Sequence, residues 1–213
     1  RMDERGVTFA PASGRQVWTL LDMFPGRPGM TAIGENGGIV MRDGVEVSSS
    51  PLDAPTVREA VRLVREATSG PDAIDGGLVM CGKKFAYVER TDDEYVAGVM
   101  PYYHRTKRVD DQLDVIDAIE SGDLDDAIVK LAVYTPGPVA PLAQATLANF
   151  AHSHQYAISG ANWADLQVRG VDKGRAVRDL QRFLGVTREQ TAVFGDAGND
   201  LSMMSEGDLS FAM

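Results

Sequence analysis

Apolar residues recur along this chain at two periods, short continuous runs and helical spacing, and the order in which the periods alternate predicts its architecture. Residues 7–10, 30–33, 39–41 and 45–47 are short apolar runs bounded by Pro, Gly and Asp, the pattern of strands. Val17, Leu20, Leu21 and Phe24 keep the i, i+3, i+4, i+7 spacing of an amphipathic helix. Residues 1–6, RMDERG, read as the tail of another helix closed by Gly6, and residues 7–10 as a buried strand that Pro11 ends. Asp43-Gly44 between two apolar runs predicts a tight hairpin. The serine run 48–50 with Pro51 reads as a hinge, and the first domain boundary is placed there.

From Asp53 as N-cap and Pro55 in the first turn, Val57, Ala60, Val61, Val64 and Ala67 mark one face of a helix. Runs at residues 78–81 and 85–88 predict a second hairpin, residues 92–108 fit helix or strand equally, and residues 115–119 fit a helix. A strand at 128–134, a helix at 139–150 and strands at 155–158 and 163–168 follow. The irregular alternation suggests an antiparallel sheet with helices on one face, so residues 49–165 are expected to form a separate α+β module. Asp172 then caps a helix over residues 173–184 that Gly185 closes, with Ala176, Val177, Leu180, Phe183 and Leu184 as its buried stripe. The opening pattern resumes after it. The expected fold class is α/β, a Rossmann-like parallel-sheet core (residues 1–48 and 166–213) with an inserted α+β cap.

Composition narrows the partners. With 213 residues, 44% of them hydrophobic and 24% charged, the chain suits one large or two small globular domains, not disorder. A formal charge of -10 speaks against nucleic acid as a partner. An anionic small molecule fits only where a metal or a few cations reverse the local field. The single cysteine, Cys81, excludes an internal disulfide or a cysteine-built zinc site and fits a reducing, cytoplasmic setting. No apolar run approaches the roughly 20 residues of a membrane span, so no membrane partner is expected.

The chemistry gathers in residues 191–204, TAVFGDAGNDLSMM. An apolar run ends in glycines and the oxygen-rich Asp196, Asn199 and Asp200, a strand handing over to a polar loop and a helix. Such a loop suits a hard cation with an anionic ligand, and it equally suits an ordinary Asp/Asn/Gly turn. Ser13-Gly14-Arg15, before the first amphipathic helix, offers a hydroxyl and free N–H groups to an anion, though Ser13 as a plain helix cap explains it as well. The loop at residues 34–38 is glycine-rich enough to approach a ligand. If the elements share one parallel sheet, these strand-end clusters and Lys173-Gly174 converge on one edge. Ser13 and Lys173 could then hold phosphate oxygens and Asp196 a metal, the parts of a phosphoryl-transfer site.

Together, APASGR (residues 10–15), ENGG (35–38), GVDKG (170–174) and FGDAGNDLSMM (194–204) make the chain resemble the haloacid dehalogenase superfamily and, within it, the Cof-type sugar-phosphate phosphatases. The resemblance implies a Rossmann-like core with a mobile cap inserted between Ser13 and Lys173. It also implies a magnesium-dependent phosphatase acting on a small phosphorylated substrate through an aspartyl-phosphate. On it, Ser13 matches the hydroxyl that binds the transferring phosphoryl group, and Lys173 the lysine that neutralises phosphate and nucleophile. Asp196 matches the metal-ligand aspartate, and Asp200 a further ligand or a group orienting metal-bound water. Gly14, Arg15, Asn36, Gly37 and Asn199 are the expected substrate-binding positions, with Asn36 at the junction of core and cap. Ala197 stands where the family more often has glycine. The family's first motif, D-x-D-G-T, which carries the nucleophile, has no match in the 213 residues. It is expected upstream of Arg1, with this chain a fragment; a member that has lost its catalytic centre is the alternative, and a phosphomutase is a further rival.

His152 and His154, the aromatic run Tyr102, Tyr103 and His104, and Trp163 are expected to serve packing or surface roles. The acidic residues Asp123, Asp125 and Asp126 are expected in solvated loop, and Cys81 in the core.

Overall fold

The structure, a computed structural model, describes residues 3–27 and 29–213 and falls into two compact units, residues 1–50 with 170–213 and residues 51–169. Arg1 and Met2, part of the expected helix tail, lie outside the described residues; Asp3–Arg5 is a single 3-10 turn and Gly6 follows at φ 68°.

In the first unit, residues 7–10 correct the expectation of a buried strand. They enter no ladder, and Val7 is 48% exposed. Among the described residues the pairing comes later, a parallel bridge of Ala12 with Ile33, where Ile33 N–H donates to Pro11 O (2.9 Å) and Ser13 N–H to Ile33 O (3.0 Å). With one neighbour reaching only its end, the segment has nothing against which residues 7–10 could satisfy a strand's backbone groups. Helix α1 (Val17–Asp22) buries Val17 and Leu20, and strands β1 (Thr31–Gly34), β2 (Ile39–Arg42) and β3 (Val45–Ser49) form an antiparallel sheet. A Cβ on Gly34 would lie 2.6 Å from Cβ of Val17, so the start of α1 rests directly on the end of β1. Asp43 (φ 52°) and Gly44 (φ 78°) both take the left-handed region, as the tight Asp-Gly hairpin turn demands. The serine run is strand end, not free linker: Ser48 and Ser49 pair with Val40 and Ile39, Ser50 N–H donates to Gly38 O (3.0 Å), and the division between the two units falls immediately after, at Pro51.

The second unit begins with α2 (Ala54–Ala67), whose Asp53 cap accepts from Thr56 N–H (2.8 Å). It continues through β4 (Gly77–Gly82), β5 (Ala86–Val88), α3 (Asp93–Val99), β6 (Thr106–Arg108), α4 (Gln112–Ser121), β7 (Ile128–Tyr134), α5 (Ala140–Ala145), β8 (His154–Ile158) and β9 (Trp163–Val168). The sheet order is β6-β5-β4-β7-β9-β8, antiparallel except for the β5–β6 pair. Leu78, Met80, Leu131, Val133 and Leu166 pack with α2, α4 and α5 on one face. Val79, Cys81 and Ala132 pack with Tyr95 and Val99 of α3 on the other, so helices cover both faces, not the single face expected. The ambiguous stretch 92–108 is thus α3 followed by β6. The helix expected over 139–150 breaks at Thr146, whose hydroxyl donates to Leu142 O (2.6 Å), and ends in a 3-10 turn, Leu147–Phe150. Asp126 is buried, not solvated: it accepts from the Tyr87 hydroxyl (2.7 Å) and Lys84 N–H (3.1 Å), while burial first and that carboxylate second push the Tyr87 phenol pKa up.

The first unit resumes with α6 (Lys173–Leu184), capped by Asp172 and closed by Gly185 at φ 67°. Ala176, Val177 and Leu180 meet Ile33, Val40 and Met203, whereas Phe183 of the expected stripe is 54% exposed because the cover thins at the last turn, where Leu184 is only partly buried. Strands β10 (Ala192–Gly195) and β11 (Leu209–Ala212) pair in parallel, joined through a 3-10 turn (Gly198–Asp200) and α7 (Leu201–Met204). Among the described residues no helix is long and apolar enough to cross a membrane.

Candidate active site

The expected strand-end clusters of the first unit meet. Lys173, first residue of α6 and 4% exposed, donates from Nζ to Oδ1 of Asp200 at 2.5 Å. Asp200, 5% exposed, accepts at Oδ2 from the N–H groups of Asp196 (3.0 Å) and Ala197 (3.2 Å), so the loop after β10 folds around its carboxylate. Burial alone would raise the Asp200 pKa; the Lys173 ammonium and the two backbone donors outweigh it and hold the carboxyl below its ordinary range. A Cβ on Gly195 would lie 2.7 Å from that of Asp200, which is why glycine ends the strand there. Asp200 is thereby committed to the loop. Asp196 is exposed, and its carboxylate makes no hydrogen bond or ion pair among the described residues.

The loop after β1 closes the arrangement. Asn36 sits at φ 53°, donates its N–H to Ser13 O (3.0 Å) and accepts at Oδ1 from Asn199 Nδ2 (3.1 Å), tying positions 163 residues apart. Its side chain lies 2.9 Å from where a Gly14 Cβ would be. Gly37, at φ 98°, packs main chain to main chain: its Cβ would lie 2.3 Å from Asp172 O. Glu35 N–H donates to Arg15 O (2.9 Å). Ser13 does not cap α1, which starts after Gln16 without a side-chain cap; its Oγ instead accepts from Arg15 N–H (3.2 Å). Every expected site residue, Ser13, Gly14, Arg15, Asn36, Gly37, Lys173, Asp196, Asn199 and Asp200, therefore belongs to one connected region of this unit. Sequence reasoning passed over Ser202, which accepts the Gly174 N–H (3.1 Å), because a serine inside a short helix carries no signal of its own.

The arrangement offers a buried ammonium, an outward carboxylate, hydroxyl and amide groups and closely packed backbone, all at the ends of strands and the start of a helix. That is the constitution of an α/β protein that handles an anionic ligand at its strand ends. A sequence model of the haloacid dehalogenase-like hydrolases matches residues 1–213, and the chain belongs to that family. It is 29% identical over 216 residues to the 5-amino-6-(5-phospho-D-ribitylamino)uracil phosphatase YbjI of Escherichia coli (strain K12), an alignment covering 100% of this chain and 74% of that protein. Among solved structures it resembles a haloacid dehalogenase-like hydrolase from B. subtilis (TM-score 0.77, 15% identity, 100% of this chain and 79% of that one). It also resembles the HAD subclass IIB sugar phosphatase BT4131 (TM-score 0.72, 15% identity, 99% and 75%). The fold is accordingly α/β, a Rossmann-like core carrying an inserted α+β cap.

Proposed function

We propose that the chain carries the phosphate-handling part of a phosphatase for small metabolites phosphorylated on a sugar or sugar-alcohol chain, with residues 1–48 and 166–213 as core and 49–165 as the cap that sets specificity. The observation that carries the reading is the buried Lys173–Asp200 pair beside the outward Asp196. The 2.5 Å ion pair with a buried carboxylate fixes the lysine in position, as neutralising a phosphoryl group requires. The named activities of the relatives, a ribityl-phosphate uracil phosphatase and a sugar phosphatase, support the substrate class.

The donor set fits magnesium. Among the described residues no group of three or more His, Cys, Asp and Glu is placed to hold a metal, but magnesium is usually held by one or two carboxylates with water and substrate phosphate. Asp196 would be its protein ligand here, and the ion, when bound, supplies charge neutralisation at the phosphoryl oxygens. Lys173 balances the phosphate charge from the α6 side, the Ser13 hydroxyl donates to a phosphoryl oxygen, and Asn36 and Asn199 offer amide contacts to the substrate. Asp200 holds Lys173 and the loop of Asp196 in register. The attacking aspartate of an aspartyl-phosphate mechanism has no counterpart in residues 1–213, so these residues bind and orient the phosphoryl group and do not attack it.

In the complete protein, Lys173→Ala or Asp196→Ala is expected to abolish magnesium-dependent phosphate release across a panel of sugar phosphates, nucleotides and pyridoxal phosphate. Near-normal turnover in either variant contradicts the assignment. Phosphate binding without any turnover would favour the second reading, a silent phospho-ligand binder.

A further inference from the structure

We propose that Ser202 is a positioning residue for Lys173, acting through the first turn of α6. Two bonds join the same two chain segments: Lys173 Nζ donates to Asp200 Oδ1 (2.5 Å), and one residue further along α6 the Gly174 N–H donates to Ser202 Oγ (3.1 Å). Gly174 N–H is one of the first-turn donors that a helix cannot satisfy internally. Asp172 takes the N–H of Arg175 (2.8 Å), and Ser202 supplies from another helix the acceptor for Gly174.

The contact goes beyond one hydrogen bond. A Cβ on Gly174 would lie 2.3 Å from Ser202 O and 2.6 Å from its carbonyl carbon, so α6 and α7 touch main chain to main chain at this point. On the opposite side, Gly37 makes the same kind of contact with the carbonyl of Asp172. Lys173 is therefore flanked by two residues, Asp172 and Gly174, that each make close main-chain contacts, and its ammonium meets Asp200. Of the groups that hold Gly174, the Ser202 hydroxyl is one that can be removed without altering the backbone. Its loss leaves the buried Gly174 N–H unpaired and lets the start of α6 move away from Asp200, so the ammonium gains access to solvent.

The inference concerns the position of Lys173 and is tested without any ligand, so it stands or falls separately from the phosphatase reading. Acetylation of Lys173 by a limiting N-hydroxysuccinimide ester, followed by peptide mass spectrometry, reports its accessibility; the exposed Lys107 of the other unit is the internal control. In Ser202→Ala, Lys173 labelling should rise at least several-fold with Lys107 unchanged, and Ser202→Thr, which keeps the hydroxyl, should stay near wild type. Equal Lys173 labelling in wild type and Ser202→Ala, or a parallel rise at Lys107, overturns the proposal. A consequence that does rest on the phosphate-handling reading is energetic coupling: Ser202→Ala should weaken binding of inorganic phosphate in the wild-type background and have no further effect once Lys173 is replaced by methionine.

Discussion

The sheet of residues 51–169 and the β10–β11 pair of the other unit bury their residues in opposite ways. In the first, both faces of β4 and β7 are covered, and residues such as Val79, Met80, Leu131 and Val133 have no exposure. Its buried polar groups are tied into the packing, as Gln112 is by donating to Leu78 O (3.1 Å) and Tyr87 O (2.8 Å). In the second, β10 and β11 leave Phe194 and Phe211 stacked on one another at 4.7 Å yet 59% and 44% exposed. Beside them the same unit holds the buried Lys173–Asp200 ion pair, framed by glycines. Apolar packing fills the sheet of residues 51–169, whereas the end of β10 carries a polar centre held by close backbone contact. Substitutions in the first should therefore lower stability alone, and those at the polar centre should disable a site as well.

The largest effect should come from the polar centre. Asp200→Ala strands a buried ammonium and is expected to cost about 3–5 kcal/mol of stability by denaturant titration, the usual penalty for breaking one side of a buried pair. Leu131→Ala in the apolar sheet should cost about 2–5 kcal/mol through its cavity, and Lys173 labelling should be unchanged at concentrations where the variant remains folded. If Leu131→Ala altered Lys173 instead, the contrast between the units would fail. Acid should weaken the polar centre. Because the folded Asp200 carboxyl lies below its ordinary value near about 3.9, the stability it adds is complete above that pH and is lost as pH falls through the lower folded value. Urea midpoints followed from pH 6 downward should show that acid-dependent loss in wild type and a shallower one in Asp200→Asn. The smallest effect is expected at Asp53, where Asp53→Ala removes the α2 cap at about 1 kcal/mol and leaves Lys173 labelling unchanged.

Local chemistry made much of this legible from the sequence. The caps Asp53 and Asp172, the Asp-Gly turn, the β7 strand and the closing Gly185 follow from side chains acting on their own backbone, and the structure has each of them. What depended on a distant partner was not legible. Residues 7–10 have strand composition but, among the described residues, no strand paired along their length, and the serine run looks like a linker until Gly38 and Ile39 arrive beside it. Asp126 reads as solvated because nothing local announces the Tyr87 hydroxyl. The candidate site divides in the same way. The oxygen-rich loop and Lys173 stand out by residue type, but the link between Asn36 and Asn199 and the contact of Gly174 with Ser202 exist only once the chain has folded.

The central claim is that Lys173 and Asp196 together handle a phosphate group with magnesium. Calorimetric titration of inorganic phosphate into the protein, with and without magnesium, tests it most directly. Wild type should bind phosphate more tightly with magnesium, Asp196→Ala should lose that magnesium dependence, and Lys173→Ala should bind at least about tenfold more weakly, equivalent to about 1.4 kcal/mol. Unchanged affinity in Lys173→Ala, or a magnesium dependence that survives in Asp196→Ala, would contradict it.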